Sequence, residues 1–264
     1  MKQFSTSSLI NAGLLTTFLF FSACSDDEDS SPSGDDAPDY REAVGSSANE
    51  LLSDNEYEHL IVELVFVDDY KPTEDAIESF ENFMESRLNK ETIEVIEGAV
   101  VDEGSNYVQD EYSTSDIRNL EDEYRSEFPR EDTMAAFMVF LNGNSERDDD
   151  NARILGLAYN NTSMAVFQET VEDVSGDGVT APSRNRVEKT VINHEMGHIL
   201  GLVDNGTPMQ EDHKDEDRGA HCDNEDCLMY YTMKRDDLIG ILLGGSDPEL
   251  DENCINDLQA NGGK

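Results

Sequence analysis

His194 and His198 stand four residues apart with Glu195 between them, in the stretch HEMGHILGLVD at 194–204. On a helix this spacing puts both imidazoles on one face, one turn apart, where two ring nitrogens can reach the same metal ion. Glu195 then lies beside such an ion rather than among its ligands. Two neutral imidazoles and an uncoordinated carboxylate are the parts of metal-assisted hydrolysis: the imidazoles hold Zn2+, and the carboxylate takes a proton from the attacking water. The bland alternative is a surface helix that happens to carry two histidines. Against it, the chain has only five histidines, two of them fall in this motif, and further ligand candidates follow shortly downstream.

The helix that must position the pair is expected over about residues 183–201. Val187, Val191, Ile192, Met196, Ile199 and Leu200 give it a broad apolar surface for burial, and Gly201 lets the chain leave it sharply. A catalytic zinc keeps three protein ligands and one open position. Asp204, His213 and His221 are the candidates for the third. A closed set of His194, His198, His213 and His221 is the pattern of a structural site instead.

Upstream, HLIVELVFVDD at 59–69 is dense in β-branched residues and predicts a strand. Ile77, Phe80, Phe83, Met84 and Leu88 recur at helical spacing over 73–90, with Thr73 as cap, and TIEVIEGAVV at 92–101 returns as a strand. A second amphipathic helix is expected over 115–128, then a continuous apolar strand over 133–141 of the kind buried on both faces. Residues 153–159 and 164–168 predict a hairpin beside the cleft, whose edge strand is suited to pairing with an extended peptide. Helices are expected over 236–243 and 248–260, and residues 261–264 should fray. The fold class is α+β: a mixed twisted sheet with helices above the metal helix, and a small, mainly helical C-terminal subdomain.

Residues 1–23 carry one charge, Lys2, and an apolar run that ends in small residues before Cys24; they are expected to be a signal peptide, too short to span a bilayer. Residues 24–55, rich in Asp, Ser, Gly and Pro, are expected to be a flexible acidic tether to one domain at 56–264. With 60 acidic and 18 basic residues the net charge is −42, which excludes nucleic acid as a partner and electrostatic adhesion to anionic membranes. DVSGDG at 173–178 imitates the start of a calcium loop, but its twelfth position is Arg184, and an acidic turn is the simpler reading. Of the four cysteines, Cys222 and Cys227 are the local candidates for a disulfide, with Cys254 as competitor for either partner.

Several of these stretches resemble known families. Phe-Ser-Ala-Cys before residue 25 resembles a bacterial lipobox, and the acidic run after it resembles the surface-export signal of Bacteroidetes lipoproteins. The resemblance implies acylation of Cys24 and an outer-membrane, surface-exposed lipoprotein. Asp204 occupies the position, ten after His194, at which metzincin proteases carry their third ligand. From Val187 to Tyr231 the chain resembles archaemetzincins, in which HExxHxxGL runs directly into HCx4CxM. Here an 18-residue insertion, VDNGTPMQEDHKDEDRGA, separates the halves. The resemblance also extends to bacterial lipoproteins described as membrane metalloproteases. It implies a zinc peptidase with His221 as third ligand and Met229 in a Met-turn beneath the site, and Tyr231 matches a tyrosine that touches zinc or the transition state in astacin-like and serralysin-like relatives. The archaemetzincin pattern ends in a Cys-x-x-Cys for a structural metal. Only Cys254 remains here, so a second zinc is not expected. The expected partners are a peptide or protein substrate and, through the lipid, the membrane; a monomer is expected. The competing reading is a non-catalytic surface lipoprotein that uses a structural zinc for binding or adhesion.

Overall fold

The computed structural model describes residues 39–149, 152–176, 181–231 and 246–264. The signal segment, Cys24, the first part of the tether, the end of the acidic loop at 173–178 and the helix expected over 236–243 lie outside these residues. In chain order the elements are α1 (Ala48–Leu52), β1 (His59–Val67), α2 (Glu74–Arg87), β2 (Thr92–Val101), β3 (Glu111–Tyr112), α3 (Thr114–Tyr124), β4 (Thr133–Leu141), β5 (Asn144–Ser145), β6 (Gly156–Asn160), β7 (Ser163–Phe167), α4 (Gln168–Val174), α5 (Arg184–Ile199) and α6 (Glu252–Ala260). The main strands and helices fall where periodicity places them; α1, α4 and the short β3–β5 pair carry too little pattern to be seen in advance. Among the described residues, no helix is long and apolar enough to cross a membrane.

Five strands form one sheet in the order β2-β1-β4-β7-β6, parallel except for the antiparallel β6–β7 pair. β4 is apolar throughout because both of its faces are covered. Met134, Ala136, Met138 and Phe140 point with Leu60, Val62, Leu64 and Phe66 toward Phe80 and Met84 of α2 and Val187, Ile192 and Met196 of α5. Phe137, Val139 and Leu141 point the other way, with Val65 and Val67, onto Ile117 and Leu120 of α3. A full capping box opens α3: the Ser113 hydroxyl accepts from the Asp116 amide and the Asp116 carboxylate accepts from the Ser113 amide.

Two expectations need correction. The tether was expected to run to residue 55, yet Leu51 and Leu52 of α1 are fully buried in the core. Lys90 turns inward and donates to the carbonyls of Glu50, Ser53 and Tyr57, satisfying the end of α1. Burial pushes its pKa down to about 8. The C-terminus does not fray: the amides of Gly263 and Lys264 donate to Leu258 and Arg87, and the Asn261 amide group donates to Thr207. In the lower part, the described residues hold one helix, α6, and otherwise turns and single bridges, Lys214–Cys222, Cys222–Tyr230 and Cys227–Glu249.

β6 is the outer strand on its side of the sheet, and α5 crosses beneath β6 and β7. This arrangement leaves a cleft between β6 and α5.

Candidate metal centre and cleft

α5 is fixed at its start by Glu188, whose fully buried carboxylate accepts from the Thr73 amide and hydroxyl at the head of α2, from Gln168, and from Arg184 one turn earlier. At its far end Gly201, with φ +73°, turns the chain out in a conformation that a side chain resists. A Cβ at Gly197 would lie 2.4 Å from Met229 Sδ, so the absence of a side chain there lets Met229 pack directly under the helix. Met229 is fully buried against α5.

The structure brings His194, His198 and His221 together, with one nitrogen of each within 4.8 Å of the others. His194 Nε2 and His198 Nε2 are 3.1 Å apart. A tetrahedral zinc with bonds of about 2.0–2.1 Å holds two such nitrogens roughly 3.3 Å apart, so the pair fits one ion. His194 donates from Nδ1 to the Leu228 carbonyl at 2.7 Å, and His221 from Nδ1 to the Arg218 carbonyl at 2.8 Å. A carbonyl only accepts, so both rings carry hydrogen on Nδ1 and turn a bare Nε2 toward the centre. Burial keeps all three rings neutral. It pushes His194 down to about 4, helped by His221, and pushes His198 well below its ordinary value; His221 is lowered as well.

Glu195 lies beside the trio and outside it. Its Oε2 accepts from the Ala158 amide of β6 at 2.8 Å, and a Cβ on Gly156 would press within 2.6 Å of its Cγ. Burial raises the Glu195 carboxyl to about 8, against the opposing pull of that amide. The trio and Glu195 open into a cleft of about 520 Å³ that Gly156, Leu157 and Ala158 of β6 line on one side and Tyr231 on the other. The Tyr231 ring stands edge-on to His221 at 4.9 Å between centroids, with Arg218 over its other side.

The other two candidates for third ligand lie elsewhere. Asp204, at φ +60°, is exposed and faces Lys214 at 3.3 Å. His213 is buried and donates to Asp257 from Nε2 at 2.8 Å, with Nδ1 toward Cys222 and Cys254. With His213 engaged there, the closed four-histidine set is not formed. The expected Cys222–Cys227 disulfide is also absent: Cys222, Cys227 and Cys254 are all free and buried, and Cys227 Sγ lies 3.6 Å from Cys254 Sγ.

Sequence reasoning missed the groups that aim the site: the amide of Ala158 and the carbonyls of Leu228 and Arg218. Backbone atoms carry no residue-type signal, so only the sheet register and the turn at 218–221 reveal them. Asp257 was also missed, although a carboxylate at a position facing inward on α6 is a signal that helical phasing offers.

No protein-family profile matches the sequence, and no curated protein is significantly similar to it. Among solved structures the chain is similar to an archaemetzincin from Methanopyrus kandleri, at 17% identity and a TM-score of 0.49, over 77% of this chain and 96% of that one. It is similar to a zinc-dependent peptidase from Methanocorpusculum labreanum, at 13% identity and a TM-score of 0.43, over 75% and 99% of the two chains. Metalloproteinase-II from Bacteroides fragilis is similar at 12% identity and a TM-score of 0.42, and this chain covers 55% of its length.

Proposed function

We propose that the chain is a zinc-dependent peptidase. The observation that carries the reading is the set of three neutral imidazoles converging on one point, with a buried carboxylate held beside them at the wall of an open cleft. His194, His198 and His221 are the residues that would hold the zinc ion. The ion supplies a Lewis acid, which acidifies the attacking water and polarises the scissile carbonyl.

The remaining chemistry belongs to side chains of this protein. Glu195, with its carboxyl near neutrality in affinity for protons, takes the proton from the attacking water and passes it to the leaving amine. The Ala158 amide orients the Glu195 carboxylate through Oε2. An extended substrate adds to the outer edge of β6, so that main-chain bonds hold it across the cleft. Tyr231 donates a hydrogen bond to the oxyanion as charge develops.

We place the protein on the outer face of a bacterial outer membrane as a monomeric lipoprotein anchored through Cys24, on the strength of the residues around that cysteine. Mass analysis of the N-terminal peptide checks the anchor: an unmodified Cys24, or a chain that begins at Met1, removes it. For the activity, wild type and Glu195→Ala are assayed on a mixed peptide library together with zinc content. The expected result is cleavage by the wild type and an inactive Glu195→Ala that still holds zinc; cleavage by Glu195→Ala at the wild-type rate overturns the mechanism.

A further inference from the structure

The charge of the cleft does not follow the charge of the chain. Acidic residues outnumber basic ones by 60 to 18 in the sequence, yet among the described residues the cleft is lined by two arginines, Arg147 and Arg153, against two carboxyl groups, Glu195 and Glu225. Glu195 is the buried group beside the three imidazoles, and Glu225 is exposed on the segment that carries Tyr231. Both arginines belong to the loop between β5 and β6. We propose that Arg147, supported by Arg153, forms a subsite for a carboxylate of the peptide substrate, two or three residues from the bond that is cut. The proposal names the substrate class of the cleft and rests on its reading as the cleft of a peptidase.

The loop engages its own carboxylates and leaves the Arg147 cation to the cleft. Asp148 Oδ1 accepts from the Ile154 amide at 2.8 Å and Oδ2 from Arg153 Nη1 at 3.2 Å, and the Asp149 carboxylate accepts from the Ala152 amide at 2.8 Å. Arg147 starts from a fixed backbone: its amide donates to the Ser145 hydroxyl at 3.2 Å, and Ser145 is paired with Tyr112 in the β3–β5 ladder. Its guanidinium donates to Thr114 Oγ1, at the head of α3, at 3.1 Å, and among the described residues no carboxylate pairs with it. A guanidinium offers five N–H donors in a planar fork, which matches a carboxylate through two parallel hydrogen bonds. The bond to Thr114 aims the fork without filling it.

The position along the substrate follows from the strand. Arg153 precedes Gly156, which packs on Glu195, by three residues, and three residues of extended chain span at most roughly 10 Å. A peptide added to the edge of β6 advances at the same rate, so its second or third residue from the cleaved bond comes level with the arginines. The preference runs against the field of the whole protein. A net charge of −42 favours cationic peptides at long range, and in salt that field fades within about 8 Å, whereas the two arginines act at contact. A preference for acidic peptides therefore has the opposite sign to any effect of the general surface, and marks the local pair.

The experiment uses the zinc-loaded full chain and peptides that carry Asp, Asn or Lys at one position at a time, each made with a free and with an amidated C-terminus. Cleavage is read as kcat/KM, and binding as fluorescence anisotropy on the Glu195→Gln chain with and without each arginine substitution. Each result is a ratio between two peptides on one preparation, so a variant that folds less well does not change it. Asp should be favoured over Asn by about tenfold at one position, two or three residues from the cut, as a charge-assisted hydrogen bond in a partly open site provides. Arg147→Gln should bring the ratio close to one, Arg147→Glu should invert it so that Lys is favoured over Asp, and Arg153→Gln should lower it by a smaller factor. A preference seen only with a free C-terminus, and lost in Arg147→Gln, identifies the end of the peptide as the carboxylate and keeps the subsite. Equal ratios in the wild type, a preference for Lys, or an Asp preference unchanged in Arg147→Glu overturns the proposal. Arg147-dependent binding of Asp peptides with no cleavage by the wild type overturns the peptidase reading and leaves the carboxylate subsite standing, whereas cleavage without preference removes the subsite alone.

Discussion

His221 and Cys222 are neighbours in the chain and serve two clusters that differ in nearly every physical respect. The histidine cluster opens on a cleft, two of its rings, His194 and His221, are pinned through Nδ1 by main-chain carbonyls, and a carboxylate stands beside it uncommitted to any ring. The cysteine cluster is shut inside the core, its one imidazole is pinned by a buried carboxylate, and main-chain amides point at its sulfur. Three imidazoles beside open space suit chemistry, and buried thiols with no opening suit packing. Histidine thus takes either role according to the group behind it and the space before it.

The comparison breaks most visibly at Glu195, the group the closed cluster has no counterpart for. Glu195→Gln should keep the zinc of the histidine cluster and lower kcat/KM by roughly 10²–10⁴-fold, the usual worth of a positioned acid–base group. A variant within a few-fold of wild type would mean the open cluster is a structural site. Next in size is Gly197→Ala. The added methyl would meet Met229 Sδ at 2.4 Å, where the helix and the loop between the two clusters touch. Overpacking of this kind costs about 1–3 kcal/mol, and the chemical denaturation midpoint should fall accordingly. An unchanged midpoint would show that the loop is free to shift and that the two clusters are not held together there.

Much of this was legible in the sequence. The period-two and period-3.6 patterns gave the sheet strands and α2, α3 and α5, because those elements bury large apolar faces. The His194–Glu195–His198 spacing gave the helical half of the site for the same geometric reason. What could not be read was long-range: 22 residues lie between His198 and His221, and nothing in their composition says which of Asp204, His213 and His221 returns. Charge density misled at 39–55, where polar composition hid Leu51 and Leu52 and the inward Lys90 that caps them. Cysteine counting misled too, because an odd set suggests one disulfide and one spare thiol, whereas Cys222, Cys227 and Cys254 are all free and buried.

A smaller effect separates the clusters by pH. A chelator should strip the open cluster of its ion. In that state His194 has a pKa of about 4 in the folded chain against 6.5 ordinarily, so between these values the unfolded chain holds the extra proton and stability falls as pH drops from 6.5 toward 4. Glu195 runs the other way. Its folded value of about 8 lies above 4.5, so the folded chain holds the proton between them and stability falls as pH rises through that window. Melting temperatures measured against pH should therefore decline above neutrality less steeply in Glu195→Gln than in the wild type. Parallel curves would mean that Glu195 is not buried against Ala158 in the way described.

The smallest effect concerns Asp204. Counting ten residues from His194 makes it a candidate ligand, and the backbone takes it out of range. Val203 and Asp204 both adopt left-handed conformations, at φ +56° and +60°, immediately after the helix turn at Gly201. A β-branched residue resists that region, whereas Asp and Asn tolerate it, so the turn is held by its burial: Val203 is fully buried while Asp204 is sent outward to Lys214. Asp204→Asn keeps the conformational preference and removes only an exposed ion pair. Stability should change by no more than about 0.5 kcal/mol, and zinc content should not change. Loss of a zinc equivalent in Asp204→Asn would show that the left-handed turn opens in solution and that Asp204, not His221, completes the open cluster.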